Sequence, residues 1–481
     1  MRRAVVAVGC TLAAAVPAHA ALPRGFVGLY GDDSFFGDSD YREGQMSMQA
    51  ASGVQTLRQP FEWWRVERRP GHFDWSGYDS YIAAAATAGL HVLPVLMAPP
   101  QFRSSRPPRS RSRAMFPPRR NSDFARFARS AVARYGANGS FWSSHRDVPY
   151  VPVRSWQVWN EPNIPNFWRS GANAHEYVAL LKAAAAAIRD ADPGGEVVAA
   201  GLPNSNLGVP FLDYVRRMYS AGAKGSFDTL AIHPYSHTAE GLLHLVERAR
   251  MLMDANGDRR AHLWITEFGW STGGDASPFR VSRRGQAARI SEVLSALAAE
   301  RGALRLRGFV VFQWKDSTAM PDTGRDPWPL HTGLLGGDGF PKPGYWSFAR
   351  TVHGLSRAPD DGGSAEPALI ARRTLYLSPR GYAAVTMGCR ADVVDACAGT
   401  LSLRTARPVH CGRRARRAGS LVGAAAFRIA VAPALVPVRL TPGSRELARC
   451  VGRMRVRASA ATPGAAHAAA AESVELVLRA R

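Results

Sequence analysis

The sequence predicts an α/β fold: a (β/α)8 TIM barrel with a small C-terminal all-β domain of sandwich type. Between residues 26 and 316, eight short apolar runs alternate with helix-length segments, the pattern of parallel strands joined by crossover helices. Eleven of the twelve tryptophans lie between Trp63 and Trp328, and none follows Trp346. The composition therefore changes near residue 357, where a second domain is expected.

The predicted strands and helices alternate along the first part of the chain. The strands are Phe26–Tyr30, Val54–Arg58, His91–Met97, Ser155–Trp159, Glu196–Gly201, Thr229–His233, His262–Thr266 and Gly308–Gln313. The helices are Arg42–Ala51, Tyr78–Ala88, Phe124–Tyr135, His175–Asp190, Phe211–Ser220, Ala239–Asn256 and Arg284–Arg301. Eight such units close into a barrel, whose active site lies at the carboxyl ends of the strands.

The first twenty residues have the pattern of a secretory signal peptide. Arg2 and Arg3 are followed by an apolar or small-residue run from 4 to 17 and by the small-x-small sequence Ala-His-Ala at 18–20. This run is too short to span a bilayer, and no later stretch is apolar enough. We expect a signal peptide over residues 1–20, a secreted protein without membrane spans, and a monomer.

The remaining chain divides into a barrel over residues 21–356, a linker over 357–367 and an accessory domain over 368–481. The linker contains the run Asp-Asp-Gly-Gly-Ser at 360–364. Beyond it, alternating apolar and polar residues are separated by Gly and Pro turns, which favours a β-sandwich. Four cysteines in this region, Cys389, Cys397, Cys411 and Cys450, suggest two disulfides with three possible connectivities, of which Cys389–Cys397 closes the shortest loop.

The formal net charge of +23 does not indicate a nucleic-acid-binding protein. Only four of the 61 basic residues are lysine, the rest being arginine, and no nucleic-acid-binding motif accompanies them. Together with the many alanines, this composition is typical of a high-GC genome. Attraction of a cell-wall or other anionic glycan to the basic surface stays open, in particular through an Arg/Pro-rich loop at 102–120.

Two glutamates end apolar runs at opposite positions of the predicted barrel. Glu161 lies in the sequence Val-Trp-Asn-Glu-Pro-Asn at 158–163, after the fourth strand, and Glu267 lies in Ile-Thr-Glu-Phe-Gly-Trp at 265–270, after the seventh. Two facing carboxylates can cleave a glycosidic bond. A separation of about 5–5.5 Å favours covalent capture and retention of configuration, whereas roughly 6.5–9.5 Å leaves room for water and inversion.

These two motifs together resemble clan A of the glycoside hydrolases, the 4/7 superfamily. The Phe167-Trp168 pair and the sequence His-Pro-Tyr at 233–235 are most similar to retaining glycosidases of family 39 or family 5. The resemblance covers roughly residues 26–350. It implies that Glu161 is the general acid/base and Glu267 the nucleophile of a double-displacement reaction.

Five further residues are expected to bind substrate or to support the two carboxylates. The resemblance places Arg58 beside the nucleophile, and Tyr235 could donate to the same carboxylate. It implies that Asn160 binds the sugar 2-hydroxyl and that Trp314 forms an aromatic platform under the sugar, with packing in the core as the alternative for Trp314. His233 is interpreted as a rim residue that contacts the sugar or Glu267, or as a structural hydrogen-bonding histidine.

The expected function is that of a secreted retaining O-glycosyl hydrolase acting on an oligo- or polysaccharide. Catalysis by two carboxylates needs no cofactor, and the histidines lack paired metal-ligand spacing, so neither a cofactor nor a metal is expected. The alternative is a catalytically silent carbohydrate-binding or cell-surface adhesion protein on the same scaffold. The two glutamates together favour the enzyme, since a binding protein does not need the pair.

Overall fold

Eight parallel wall strands close into a barrel in a computed structural model. The structure describes residues 22–31, 33–112, 115–318, 325–356, 368–370, 374–378, 381–389, 396–430, 434–461 and 473–480. The predicted signal peptide and linker lie outside these residues. The barrel strands are β1 Val27–Tyr30, β2 Thr56–Glu62, β3 His91–Met97, β4 Ser155–Val158, β5 Glu196–Val198, β6 Leu202–Pro203, β7 Thr229–His233, β8 His262–Phe268 and β9 Leu306–Val311.

The strand pairings follow the ring without interruption. β1 pairs in parallel with both β2 and β9, and the order continues through β3 and β4 on one side and through β8 and β7 on the other. β5 and β6 are two pieces of the fifth wall strand, because both pair with β7 in parallel. This closure brings β4 and β8 to opposite sides of the mouth.

Helices surround the strands and bury their apolar faces. They are α1 Asp33–Phe36, α2 Ser39–Ala51, α3 Trp63–Val66, α4 Ser76–Thr87, α5 Asn121–Tyr135, α6 Ser140–Ser144, α7 Ala174–Ala191, α8 Phe211–Ser220, α9 Ala239–Ala255, α10 Arg283–Glu300 and α11 Pro343–Ser356, with a 3-10 turn at Trp328–His331. Polar caps begin several of them: Asn173 accepts from two backbone N–H groups of α7, and Ser282 accepts from Gly285 of α10.

The interior of the barrel is filled by side chains. Leu93, Val198, Ala231 and Trp264 form a buried cluster inside the ring. At the amino-terminal end of the strands, Glu196 accepts hydrogen bonds from side chains of three other wall strands: Ser155, Thr229 and Arg307. A packed interior and a cross-linked lower end leave the carboxyl-terminal end of the strands as the place for a site.

The observed strands agree with the predicted ones to within four residues, with three differences. β2 continues to Glu62 instead of ending at Arg58. The fifth wall strand is broken at 199–201, where Gly201 pairs instead with Asn160. The last wall strand ends at Val311, two residues before the predicted end.

The C-terminal region forms a separate, mainly antiparallel sheet, as predicted. Its strands are β10 Ala368–Ile370, β11 Thr374–Leu377, β12 Tyr382–Cys389, β13 Ala396–Thr405, β16 Leu421–Ala430, β17 Ala434–Leu440, β18 Arg453–Ala461 and β19 Ser473–Ala480; β14 Val409–Cys411 and β15 Arg414–Arg416 form a hairpin, and α12 is Pro442–Val451. The sheet closes on itself because β12 pairs with both β11 and β17. Among the described strands of this sheet, β11–β19 is the one parallel pair.

Cys411 and Cys450 form a disulfide that ties the β14–β15 hairpin to α12. If a second disulfide forms, the remaining cysteines are Cys389 and Cys397. This is the pair that the sequence predicts, since it closes the shortest loop. Their side chains lie outside the described part of the structure, so that pairing stays a prediction. None of the helices in the described residues combines the length and apolar character required to cross a membrane.

Candidate active site

Glu161 lies on an irregular turn directly after β4. Trp159 and Glu161 both have positive φ angles, +72° and +46°, which non-glycine residues rarely adopt. The turn is held by the neighbouring wall strands: Trp159 donates its backbone N–H to Leu96 at 2.9 Å, and Glu161 donates to Gly201 at 3.0 Å. Such strained conformations persist where the surrounding structure enforces them, and they are concentrated at functional sites.

Glu267 is the sixth residue of β8, and a donor occupies each of its oxygens. Arg58 on β2 contacts Oε1 through Nη1 at 2.6 Å, and the Tyr235 hydroxyl donates to Oε2 at 2.9 Å. Burial and the two glutamates raise the pKa of Tyr235 well above its usual value, so this hydroxyl keeps its proton. Charge-assisted donors on both oxygens suit a carboxylate anion.

The two carboxylates face each other across the mouth of the barrel. One oxygen of Glu161, one oxygen of Glu267 and one ring nitrogen of His233 lie within 4.8 Å of one another. Both glutamates are nearly buried, with 8% and 7% of their surfaces exposed. This separation is far below the roughly 6.5–9.5 Å typical of inverting pairs and close to the about 5–5.5 Å of retaining pairs.

Arg58 connects both halves of the site. Besides Glu267, it donates through Nη2 to Asn160 Oδ1 at 2.7 Å and through Nε to Gln157 Oε1 at 3.0 Å. Glu62 and Glu67 are not partners of Arg58, because Glu62 pairs with Arg65 and Glu67 pairs with Arg103. Asn160 lines the cavity, and among the described residues no group accepts from its side-chain nitrogen, which is therefore available to a ligand hydroxyl.

The environment of Glu161 favours its protonated form. Burial raises the pKa of Glu161 well above that of an ordinary carboxyl, and the negative charge of Glu267 raises it further, against the opposing effect of Arg58. The two carboxylates therefore differ in their surroundings: one is poised to hold a proton and the other is surrounded by donors. That asymmetry is what acid catalysis beside a nucleophile requires.

His233 is not a rim residue, and this part of the interpretation is wrong. It is the last residue of β7, and its ring is completely buried beneath the two carboxylates. Nδ1 lies 2.8 Å from Glu161 Oε1 and 3.5 Å from Glu267 Oε2, and Nε2 lies 3.0 Å from Thr266 Oγ1. The structural, hydrogen-bonding alternative is the one that fits.

The carboxylates lie in a cavity of about 810 Å3 at the carboxyl ends of the strands. Its apolar and aromatic walls follow several different strands: Tyr30, Val95, Met97, Ile164, Phe167, Leu207, Phe279, Phe312 and Trp328. Polar groups on the side of Glu161 come from the loop after β6, at 204–206. A concave, largely apolar pocket with a few converging polar groups is typical of a small-molecule site.

A comparison with protein families matches residues 138–301 to the glycosyl hydrolase catalytic core. The matched segment contains Glu161, His233 and Glu267. This match agrees with the resemblance to glycoside hydrolases that the two motifs indicate, and the solved structures named below share the barrel fold.

Solved family 39 enzymes share the fold of this core at low sequence identity. A family 39 enzyme from Xanthomonas axonopodis pv. citri is 16% identical with a TM-score of 0.53, covering 88% of this chain and 93% of its own. A family 39 β-xylosidase from Caulobacter crescentus is 17% identical with a TM-score of 0.52, covering 81% and 84%. These coverages extend beyond the glycosyl hydrolase core into the C-terminal sheet.

A curated β-xylosidase from Geobacillus stearothermophilus is 44% identical over 55 residues. The aligned stretch covers 10% of this chain and 11% of that relative. The sequence similarity to this relative is therefore confined to a short stretch, whereas the fold similarity to the solved structures extends over most of the chain.

Trp314 does not line the cavity and therefore cannot form an aromatic platform under a bound sugar. It packs in the core, which was the alternative for this residue. Its side chain is fully buried, donates through Nε1 to Gln45 at 2.7 Å and packs edge-on against Tyr345. Because β9 ends at Val311, the strand alternation does not continue to residue 314. Phe312 lies at the cavity wall instead.

Several residues of the site were not identified from the sequence. Gln157 and Thr266 are polar residues that directly follow a large apolar residue in a buried strand, a signal that could have singled them out. Phe279 and Leu207 lie in long loops after β8 and β6 and carry no pattern that distinguishes them from other loop residues. Trp328, at the start of the 3-10 turn, also lines the cavity.

Glu161, His233 and Glu267 are also residues of metal-ligating type. Their surroundings suit a proton-transfer site better than a divalent cation. Each oxygen of Glu267 already accepts from Arg58 or Tyr235, and the Arg58 guanidinium supplies positive charge where a cation would have to bind. The expectation that no metal or cofactor takes part stays a prediction.

Proposed function

We propose that the barrel is a retaining glycosidase that hydrolyses O-glycosidic bonds by double displacement. The observation that carries this proposal is the pair of carboxylate oxygens from opposite walls, within 4.8 Å of each other in the cavity. This distance suits direct attack by one carboxylate better than activation of a water between the two. The two glutamates differ in environment as the two roles demand.

In the first step, Glu267 attacks the anomeric carbon while Glu161 donates its proton to the glycosidic oxygen. The bond to the leaving group breaks, a covalent glycosyl–enzyme ester forms, and the leaving group departs as an alcohol. Arg58 and Tyr235 hold the attacking carboxylate in place. The free side-chain nitrogen of Asn160 is suited to donate to the sugar 2-hydroxyl, a contact that strengthens as the ring distorts.

In the second step, a water attacks the same carbon and gives a proton to Glu161, which now acts as base. The ester bond to Glu267 breaks, and the sugar leaves with its original configuration after two inversions. Both glutamates return to their starting protonation states. No oxidant, reductant or cofactor enters this balance.

The substrate is expected to be a neutral sugar with a β or equivalent linkage. Among the described residues that line the cavity, Arg58 is the only arginine or lysine, and it is already paired with Glu267. The relatives named above include β-xylosidases. We therefore place aryl β-xylosides first among test substrates and assign the chain to family 39 rather than family 5.

A panel of chromogenic aryl glycosides tests the assignment of roles. Glu161→Ala is expected to lose about 10²–10⁴-fold in kcat/KM toward poor leaving groups, and azide is expected to restore turnover with a retained-configuration glycosyl azide product. Glu267→Ala is expected to lose the covalent pathway. Glu292→Ala, an exposed residue on α10, is the matched control. Full activity in either active-site variant, or sugar binding without turnover in the wild type, contradicts the proposal.

We also propose that the protein is exported and that residues 1–20 are removed. The motif at 18–20 supports this cleavage position. Determination of the amino terminus of the protein recovered from the producing cell and its medium tests it. A cell-associated chain that retains Met1 contradicts export.

A further inference from the structure

We infer that Thr266 is a positioning residue that fixes the tautomer of His233 and thereby directs the acid's proton to Glu161 Oε2. The inference rests on the proposed function, because it concerns the proton that Glu161 donates. It arises from a chain of three buried groups: the Thr266 hydroxyl on β8, the His233 ring at the end of β7 and the Glu161 carboxyl after β4. Thr266 and His233 are both fully buried.

The His233 ring is neutral in this site. Burial lowers the pKa of His233 well below its usual value, and the Arg58 guanidinium lowers it further. The charged or titratable groups that face this site are Arg58 from β2, Glu161 from the turn after β4, Tyr235 after β7 and Glu267 from β8. A neutral imidazole carries one N–H, which lies on either Nδ1 or Nε2.

The single N–H proton of the neutral His233 ring lies on Nδ1. This nitrogen is 2.8 Å from Glu161 Oε1 and 3.5 Å from Glu267 Oε2. A bare lone pair on Nδ1 would face oxygens of two carboxyl groups, one of which has to be ionised to act as nucleophile. An N–H at this position instead donates to Glu161 and stabilises both oxygens.

The position of this proton fixes the direction of the other hydrogen bond of the ring, the one between Nε2 and Thr266. With the proton on Nδ1, Nε2 has only a lone pair, so the contact of 3.0 Å to Thr266 requires the threonine hydroxyl to donate. This hydroxyl is the only described group within hydrogen-bond distance of Nε2. Loss of the hydroxyl would leave a buried nitrogen without a donor and would remove the preference for this tautomer.

The consequence concerns the two oxygens of Glu161. Because Oε1 accepts from His233 Nδ1, the acid's proton has to reside on Oε2. Among the described residues, Oε2 has no hydrogen-bond partner, and Glu161 lines the cavity. The proton is thus held on the oxygen left free for the leaving group, and the same N–H stabilises the carboxylate when Glu161 becomes a base.

The test compares Thr266→Val, which keeps the shape but removes the hydroxyl, with Thr266→Ser, which keeps the hydroxyl. Two glycosides of the same sugar are used, one with a 2,4-dinitrophenyl group, which leaves without protonation, and one with an alkyl group, which needs it. For the Val variant, kcat/KM toward the alkyl glycoside is expected to fall about tenfold, the effect of one hydrogen bond. The dinitrophenyl glycoside is expected to react with the Val variant at an almost unchanged kcat/KM, and the Ser variant is expected to hydrolyse both glycosides at close to the wild-type kcat/KM.

Equal losses with both leaving groups would identify Thr266 as merely structural and would overturn the inference, as would a Val variant that hydrolyses the alkyl glycoside at the wild-type rate. Ring 15N shifts of His233 provide a readout independent of turnover. A protonated Nδ1 in the wild type and a mixture of tautomers in the Val variant are expected, and a protonated Nε2 in the wild type overturns the inference. A wild type that hydrolyses no glycoside refutes the proposed function, whereas the 15N result still decides the tautomer.

Discussion

Arg58 shows how one side chain organises the site at the residue scale. Its guanidinium donates in three directions, to Glu267, Asn160 and Gln157, while only 2% of the residue is exposed. The resemblance to clan A predicted the place of Arg58 beside Glu267, although the predicted strand ended at Arg58 and β2 continues to Glu62. The partner Gln157 could not, since only packing of the barrel interior decides which polar groups meet.

Replacement of Arg58 by methionine is expected to destabilise the fold by about 3–5 kcal/mol, because Glu267 would remain buried without its cation. Arg216→Met is the matched control, since Arg216 forms an exposed pair with Asp213 on α8, and pairs of this kind contribute at most about 1 kcal/mol. Urea unfolding of both variants measures the difference. Equal destabilisation of the two variants would mean that burial does not set the strength of the Arg58 pair.

The raised pKa of Glu161 gives a pH dependence of stability. A buried carboxyl with a raised pKa binds its proton more tightly in the folded than in the unfolded chain, so folding becomes less favourable as pH rises above the unfolded value. Glu161→Gln removes this penalty while keeping an acceptor for His233. The variant is expected to melt at a higher temperature than the wild type at neutral pH and at the same temperature below pH 4, and a constant difference at both pH values would contradict this account.

At the element scale, the break in the fifth wall strand positions Glu161. Gly201 accepts the backbone N–H of Glu161 and pairs with Asn160, and a Cβ at this position would lie 2.0 Å from His233 Nε2. The existence and order of the strands could be predicted from apolar periodicity. This break could not, because it depends on a close approach between a backbone and a ring from different strands.

Gly201→Ala is expected to displace the His233 ring and to lower kcat/KM by at least tenfold, with a loss of stability of about 1–3 kcal/mol from overpacking. Gly44→Ala in α2 is the control, because a Cβ there meets no atom within 4 Å and alanine is the better helix former. Steady-state kinetics and thermal unfolding provide the comparison. Unchanged kinetics in Gly201→Ala would show that the ring has room to move.

The limits of strand alternation explain the two corrected interpretations. Trp314 lies two residues after Phe312, yet the strand ends at Val311 and the two side chains occupy different environments. His233 ends β7 and points beneath the carboxylates rather than toward the rim. In both cases the residue was correctly placed along the chain, and only the packing around the strand end decided its role.

At the scale of the whole molecule, the chain combines a barrel with a closed C-terminal sheet. Asp40, which lies near the start of α2, accepts from Arg453 and Arg479 of this sheet at 3.0 and 3.5 Å, so the two regions are in contact. The change of composition predicted two regions, and the period-two runs predicted the second as β. The closure of that sheet was not predictable, because alternation fixes the faces of strands but not their neighbours.

The Cys411–Cys450 disulfide closes a sequence separation of 39 residues. Its replacement by two serines is expected to destabilise the C-terminal sheet by about 3–4 kcal/mol, because the unfolded chain gains freedom. The catalytic kcat/KM is expected to change less than twofold, since every residue lining the cavity lies in the barrel. Calorimetry and kinetics on the same preparation measure both quantities, and loss of activity in a folded variant would show that the sheet supports the site.

The central claim is that Glu161 and Glu267 act together on one anomeric carbon from opposite sides. The most direct measurement is the anomeric configuration of the sugar first released from an aryl glycoside, followed by 1H NMR before mutarotation equilibrates the product. The account predicts the same configuration as in the substrate. An initial product of inverted configuration would contradict it.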